Sequence, residues 1–486
     1  MNNHRQKSIS AFSGQVGDLV KGSAITIALG KSVGEAARLM SEARVGSLVV
    51  VSGKKPVGIV TKTDLVRRVL ARDKGGKVQV SQVMTPQIQA VDRSALLFDG
   101  LMQMIQHRIG HLVVMDRGRV VGVVSDRDWL AYQKLHPLAL VKDMEQAETV
   151  AELAELREKA NGLVSQFFRE EGTAEMLTEL VTEINDRTVR QVIALTLKAM
   201  KTPPPVKWAW MAMGSEGRLE QTLSTDQDNG LIFEAPHGPP PPSVRKWFLG
   251  FAERVVSGLE TCGFPRCKGN IMATNPELCL SLGEWKEMFG GLVDEVNPTD
   301  LIRASIYFDF RCLEGEPSLV DALRKDLLKR IGKNRGFLRF MAGRSEFYGD
   351  LAINSFSWRV RALFGLNPPP VDLKKEGISP MVRATRVLAL AHGIEETNTI
   401  KRLALIQKKK KLPNGLGEAV RHAYDFIMLL RIRNNFRQQE NQESPHNRVD
   451  FNSLNQLEFR FLVESLKTID AFQDFVWGEF GEVTIQ

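Results

Sequence analysis

The stretch MGSEGRLEQTLSTDQDNGLIF, residues 213–233, decides how this chain is read. It opens on Gly214-Ser215, crosses a charged segment and reaches Asp226-Gln227-Asp228 just before the apolar GLIF. VKWAWMAM (206–213) has the aromatic and β-branched content of a strand. EGRLEQTL reads as a short helix, and GLIF as a second strand returning beside the first. Residues two apart on a strand share a face, so Asp226 and Asp228 point together. Like charges held that close repel unless a cation lies between them.

Gly214 lets the backbone approach a phosphate, and Ser215 adds an N–H and a hydroxyl. Arg218 either reaches a phosphate or pairs with a neighbouring glutamate. Paired carboxylates beside a phosphate cradle suit magnesium-assisted phosphoryl or nucleotidyl transfer. A third carboxylate is expected from a neighbouring strand. ASIYFDFRCL (304–313) supplies it: Ser305, Tyr307 and Asp309 share a face, and Asp309 is the only acid there. The bland alternative is that Asp226 and Asp228 are turn or strand-edge acids.

These motifs resemble the DNA polymerase beta-type nucleotidyltransferase superfamily, with its glycine turn, D-x-D pair and later strand carboxylate. Gln227, between the two acids, departs from the apolar residue usual there. The chain is most similar to a bacterial family of nucleotidyltransferases that follow a CBS pair, related to PII uridylyltransferase and glutamine synthetase adenylyltransferase. The matching pieces are GSEGRLEQTLSTDQDN, KGNIMATNPEL (268–278), YFDFR (307–311), RATRVLALAHGI (383–394), NTIKRL (398–403) and PHNRVDFNSL (445–454). The resemblance implies that Asp226, Asp228 and Asp309 hold Mg²⁺ (or Mn²⁺), that Gly214, Ser215 and Arg218 hold the triphosphate of an NTP, and that Asp309 helps deprotonate an acceptor hydroxyl. It implies a protein as acceptor. No His-Asp dipeptide occurs, so the hydrolase activity that reverses uridylylation is not expected.

The first 135 residues contain a repeat. RVGSLVVVSGKKPVGIVTKTDLV (44–66) aligns with RIGHLVVMDRGRVVGVVSDRDWL (108–130) at an offset of 64, and SVGEAARLMSEA (32–43) has its counterpart upstream of the second copy. Each unit reads helix, strand, tight turn, strand, helix, and needs its copy to complete a core. These copies resemble CBS domains, which occur in pairs. In the segments Gly58-Ile-Val-Thr61-Lys-Thr-Asp64 and Gly122-Val-Val-Ser125-Asp-Arg-Asp128 the hydroxyl is placed to bond a phosphate at a helix start. The aspartate is placed to accept ribose hydroxyls. AMP, ADP or ATP is the implied ligand, and a homodimer through the CBS pair is expected. The alternative is that Thr61 and Ser125 are helix caps and Asp64 and Asp128 first-turn acids.

The fold expected is multidomain, α/β plus α. It comprises a tandem CBS pair at 12–135 (repeats 15–72 and 79–135), a helical connector at 139–202, a polymerase beta-like nucleotidyltransferase α/β domain at 203–315 and a C-terminal helical bundle at 316–486. Apolar positions recur at helical spacing through the connector and the C-terminal third. The net charge of +8 and pI near 9.2 are a mild basic excess over 486 residues, too little to imply nucleic acid. No apolar run is long enough to cross a bilayer, the N-terminus lacks a signal-peptide core, and the four cysteines form no C-x-x-C. A reduced, cytoplasmic protein with no structural zinc and no membrane partner is therefore expected. His107 and His111 have helical metal-site spacing, but Gly110 interrupts it, and Lys408 to Lys411 read as solvated loop charge. The leading reading is an Mg²⁺-dependent nucleotidyltransferase regulated by adenine nucleotides. The rival is a catalytically inactive, nucleotide-sensing interaction module.

Overall fold

The computed structural model describes residues 14–481 apart from 54, 127, 130–136, 170–172, 223–224, 236–237, 296–297, 344–369, 442 and 445. The end of the second repeat, 130–135, lies outside the described residues. The chain divides into two compact units at Asp143/Met144.

In the first unit the repeat is structural as well as sequential. One copy runs β1 (Thr26–Ala28), helix Val33–Glu42, β2 (Ser47–Ser52) and β3 (Lys55–Thr61). The other runs β4 (Ala90–Asp92), helix Leu97–Gln106, β5 (His111–Asp116) and β6 (Arg119–Ser125). Each copy is a three-stranded sheet whose first strand is parallel to the second and whose third is antiparallel to it. The short leading strands β1 and β4 are additions to the pattern read from sequence. Even the register shift recurs, at Val50/Val51 and at Val114/Met115.

The segment preceding each copy packs on the other. Val16 N–H donates to Ala95 C=O, and Val33 N–H donates to Val78 C=O, both at 2.8 Å. A Cβ on Gly122 would lie 2.4 Å from Val20 Cγ1, and one on Gly58 2.5 Å from Met84 Sδ. The glycines of the two Gly-h-h motifs are thus needed for close approach of the crossing segment. This interleaving is why neither copy can bury its apolar face alone.

The second unit centres on a four-stranded sheet in the order β10-β7-β8-β9. Its strands are β7 (Trp208–Ala212), β8 (Asn229–Phe233), β9 (Cys279–Ser281) and β10 (Arg311–Gly315). β7 and β8 pair antiparallel, as expected from the return of the chain, with Ala212 opposite Asn229. Every residue of β7 and β8 is buried, because helices cover both faces of the sheet and polar alternation has no place there. Helix Pro242–Thr261 covers one face, stacking Phe248 on Phe233 and setting Phe251 against Trp208. On the other face Trp285, from helix Leu282–Asp294, donates its Nε1–H to Leu231 C=O at 3.0 Å. Trp210, Trp285, Phe233, Phe248, Phe251, Phe289, Phe308 and Phe310 are fully buried, each worth roughly 2–3 kcal/mol of transfer free energy.

The helices expected to form a separate connector belong to this second unit. Helix Ala174–Ala199 packs against helix Pro242–Thr261, and buried Arg157 donates to Cys262 C=O at 2.8 Å. The C-terminal region is helical as expected, with Ser379–Ala391, Thr399–Lys408, Leu416–Glu440 and Gln456–Gly481 as its main members. A π-helical turn, Leu373–Ile378, precedes them, led in by β11 (Val371–Asp372), which pairs with β12 (Arg448–Val449).

Two local readings differ from the structure. EGRLEQTL forms only one helical turn, Gly214–Gly217, followed by Leu219 at φ +61°. The carbonyls of Gly217 and Arg218 accept from the Thr397 hydroxyl (2.7 Å) and the Asn398 amide (3.0 Å), so tertiary partners replace the helical ladder. ASIYFDFRCL is not one strand either. Helix Pro298–Tyr307 contains Ser305 and Tyr307, β10 begins at Arg311, and Asp309 sits in the bend between them. The strand face expected to unite Ser305, Tyr307 and Asp309 therefore does not exist.

Candidate active site

The site is built at the edge where β7 ends and β8 begins. Gly214 adopts φ +58°, and a Cβ there would meet Asp228 Oδ2 at 2.9 Å. Only glycine satisfies both the left-handed turn and that close approach. Met213 N–H donates to Asp228 C=O at 2.9 Å, which locks the glycine turn against the acidic segment. Gln227 points the other way, buried, with its amide donating to the carbonyls of Val256 (3.2 Å) and Phe264 (2.9 Å). The polar residue between the acids is thus a structural anchor, and its alternation leaves Asp226 and Asp228 on the opposite side.

Asp226 is exposed and Asp228 half-buried, and their carboxylates converge with the Cys267 thiol. One donor atom from each of the three lies within 4.8 Å of the others. Burial, and then the neighbouring Asp226, push the Asp228 carboxyl up to about 6. Among the described residues neither acid forms an ion pair within 4 Å. Lys374, on the π-helical turn, feels both acids: burial and Arg431 lower its pKa, while Asp226 and Asp228 oppose that. Two carboxylates and a thiol around an uncompensated negative charge fit a divalent cation.

Asp309 is not part of this group. Its carboxylate is completely buried and is gripped by Arg218 (2.9 Å), Arg386 (Nε, 3.0 Å) and Arg402 (2.6 Å). Burial alone would raise its pKa, but Arg386, Arg402 and Arg218 hold the carboxyl well below the usual range. A carboxylate held by three guanidiniums is a poor metal ligand and a weak proton acceptor. The metal-ligand and base roles expected for Asp309 are therefore corrected to a positioning role. Arg218 is corrected with it. Half-buried, it is shared between Asp309 and Glu220 (2.8 Å), and those two carboxylates keep it charged against desolvation, so it is not free for a triphosphate.

The C-terminal motifs meet here. Arg386 comes from RATRVLALAHGI and Arg402 from NTIKRL. The same NTIKRL segment supplies Asn398, and with Thr397 beside it holds the glycine-loop carbonyls. PHNRVDFNSL carries Asn447, whose Oδ1 accepts from Arg431 (2.8 Å) and whose C=O accepts from Leu373 N–H (2.9 Å), fixing the turn that bears Lys374. KGNIMATNPEL lies along the acids: Asn229 N–H donates to Ile271 C=O, and Ala273 N–H donates to Asn229 Oδ1 at 2.8 Å. Each motif was legible as a string, but its role was not, since Lys374, Cys267, Arg386 and Arg402 carry no local signal of a site.

A second ionic cluster lies on the far side of the glycine loop. Arg311 donates from Nε to Glu216 C=O (3.0 Å) and from Nη1 to Asp186 (2.8 Å), tying helix Ala174–Ala199 to the loop. The Glu216 carboxyl is fully enclosed. Burial, with the negative charges of Asp186, Asp228 and Asp226, pushes it up to about 8 against the pull of Arg311.

In the first unit the four expected residues form paired caps. Asp64 Oδ2 accepts from Thr61 N–H and its hydroxyl (2.7 Å), and Arg68 sits 3.3 Å from Oδ1. Asp128 Oδ2 accepts from Ser125 N–H and its hydroxyl (2.6 Å), with Lys21 at 3.3 Å from Oδ1. Thr61 Oγ1 in turn accepts from Asp64 N–H at 3.2 Å, capping helix Lys62–Arg68.

The family described as "Putative nucleotidyltransferase DUF294" matches residues 158–299, and its "Putative nucleotidyltransferase substrate binding domain" matches 364–480. The CBS domain matches 16–71 and 80–134. The nucleotidyltransferase match begins inside the segment expected to be a connector, in accord with the packing of those helices. A CBS domain-containing protein, YhcV, from Bacillus subtilis is 31% identical over 100 residues, 21% of this chain and 71% of that protein. An uncharacterized protein from Acidianus ambivalens is 34% identical over 99 residues, and the chain spans 59% of that relative's length. A solved CBS domain protein from Pyrobaculum aerophilum, complexed with AMP, is 25% identical over 24% of this chain and 89% of that one, with a TM-score of 0.23. No helix among the described residues is long and apolar enough to cross a membrane.

Proposed function

We propose, for a chain that belongs to the CBS-containing nucleotidyltransferase family (DUF294), that it transfers NMP from an NTP to an acceptor hydroxyl on a protein. The observation that carries this is the convergence of Asp226 and Asp228, with no ion pair among the described residues, beside the Gly214 turn. In the transfer the acceptor oxygen bonds to the α-phosphorus, the bond from that phosphorus to the β-phosphate bridge oxygen breaks, pyrophosphate leaves and the hydroxyl proton passes to solvent. A divalent cation, Mg²⁺ or Mn²⁺, would be held by Asp226 and Asp228 and would supply charge neutralisation at the phosphates. Gly214 and Ser215 present backbone to the triphosphate, and Lys374 adds the positive charge that Arg218 cannot. Asp309, through its three arginines, fixes the glycine loop and the C-terminal helices in one geometry.

Regulation by an adenine nucleotide at the CBS pair is part of the same reading. Helix Ala174–Ala199 follows the first unit in the chain and holds Arg311, through Asp186, onto the glycine loop. A change in that helix would reach the loop through the three hydrogen bonds of Arg311. Val66 and Leu70, 54% and 67% exposed, support association through the first CBS copy.

Purified protein incubated with α-labelled ATP or UTP, Mg²⁺ and lysate of the source cells should label a macromolecule and release pyrophosphate. Asp226→Asn/Asp228→Asn should lose at least on the order of 10- to 100-fold of that signal. Pyrophosphate without a labelled macromolecule would identify a small acceptor. Absence of both from folded protein would favour the inactive nucleotide sensor.

A further inference from the structure

The third donor at the acidic pair is sulfur. Cys267 stands at the first position of a tight turn, with Asn270 N–H donating back to its carbonyl at 3.0 Å and Asn270 at φ +54°. Backbone bonds pin this segment to the acids on both sides. Gln227 N–H donates to Pro265 C=O and Asn229 N–H to Ile271 C=O, each at 3.1 Å. Gln227 also forms an isolated parallel bridge with Arg266. The thiol therefore does not drift into the site; it is held there by the same strand edge that presents Asp226 and Asp228. Its Sγ and one oxygen of each acid lie within 4.8 Å of one another.

A second observation is independent of the cysteine. Asp309, in the same unit, has three guanidiniums, whereas Asp226 and Asp228 have no ion pair among the described residues. The fold supplies arginine freely to one carboxylate and withholds it from two that repel each other, an arrangement whose charge is completed by a cation from solution.

We propose that Cys267 is a metal ligand at this site, and that the site is a mixed oxygen–sulfur centre which prefers a thiophilic dication such as Zn²⁺ or Co²⁺ over Mg²⁺. This rests on the reading of Asp226 and Asp228 as the metal-binding pair. Donors around one such ion sit about 2.0–2.3 Å from it, so they lie within roughly 4.6 Å of each other, close to the observed spread. Mg²⁺ takes hard oxygen ligands and gains nothing from sulfur, whereas Zn²⁺ and Co²⁺ bind thiolate well. On binding, the Cys267 S–H bond breaks, its proton goes to solvent and the sulfur pair is shared with the metal. Zn²⁺ would then compete with Mg²⁺ for the acids.

The test uses the full chain under a non-chelating reductant. Co²⁺ is titrated by absorption, and Zn²⁺ and Mn²⁺ by calorimetry, for wild type, Cys267→Ser and Asp226→Asn/Asp228→Asn. The expected result is a sulfur-to-cobalt charge-transfer band in wild type that Cys267→Ser abolishes. Zn²⁺ affinity should fall tenfold or more in that variant while Mn²⁺ affinity stays within about twofold. A band that survives in Cys267→Ser would place the sulfur at Cys262, Cys279 or Cys312 and overturn the proposal. Metal binding that needs both aspartates, shows no such band and is unchanged in Cys267→Ser would overturn it too, while leaving the two-carboxylate site intact. Failure of wild type to bind Co²⁺, Zn²⁺ or Mn²⁺ at all would overturn both readings.

Discussion

Arg402 Nη1 donates to Asp309 Oδ1 at 2.6 Å, with both side chains almost wholly buried and the two residues 93 positions apart in the chain. This pair joins the bend before β10 to helix Thr399–Lys408, and Arg218 and Arg386 complete the cluster. Removing one member leaves the others charged and buried, which costs roughly 3–5 kcal/mol. Arg402→Ala should therefore lower the urea midpoint of the second unit strongly, and Arg402→Lys by less. Asp309→Asn, at a temperature where it stays folded, should bind Mn²⁺ as wild type does. Loss of Mn²⁺ binding from folded Asp309→Asn would return Asp309 to the ligand set.

Lys374 sits on a π-helical turn and feels the charge of Asp226 and Asp228, and such turns recur at functional sites. A charge-assisted hydrogen bond is worth about 1.5–3 kcal/mol. Lys374→Met should raise KM for the NTP roughly tenfold or more by that measure. kcat should change much less, because glycine turn and acids are untouched. An unchanged KM would remove Lys374 from the nucleotide site.

Glu216 gives stability a pH dependence of known sign. Its folded carboxyl titrates at about 8 against an ordinary value of 4.5, so the folded state keeps a proton that the unfolded state has lost. Stability then falls as pH rises from about 4.5 to about 8, by at most roughly 1.4 kcal/mol per unit from this group. Glu216→Gln, neutral throughout, should flatten that fall and melt higher than wild type at pH 8. Thermal unfolding at pH 5.5 and 8 reads the difference. A variant that melts lower than wild type at pH 8 would show Glu216 ionised in the fold.

Thr61 and Ser125 separate cap from ligand. Thr61→Ala should cost about 1 kcal/mol without nucleotide, as for other lost caps. If AMP binds at the hydroxyl, it should raise the melting temperature of wild type, and Thr61→Ala or Ser125→Ala should reduce that gain. No shift in wild type at millimolar AMP would leave both residues as caps alone.

What lay within one or two turns of chain was legible before any tertiary structure. The 64-residue period placed the strand–turn–strand pairs β2–β3 and β5–β6 of the first unit, though not the leading strands β1 and β4, because both copies meet the same packing problem. The β7–β8 hairpin and the shared side of Asp226 and Asp228 followed from strand alternation. The helical C-terminal third followed from apolar spacing.

The rest depended on contacts between distant segments. EGRLEQTL has helical composition, yet Thr397 and Asn398 capture its carbonyls from some 180 residues away. Asp309 looked like a third ligand because it is the only acid in what reads as a strand; its real neighbours are three arginines that no spacing announces. Cys267 looked unremarkable among four cysteines without a local motif, and backbone bonds to Gln227 and Asn229 bring it to the acids. By itself the sequence determined the repeat, the acidic pair and the glycine turn, since these depend on backbone geometry over a few residues. The tertiary structure alone decided which charges are compensated, because Coulomb attraction and burial act through space and are indifferent to distance along the chain.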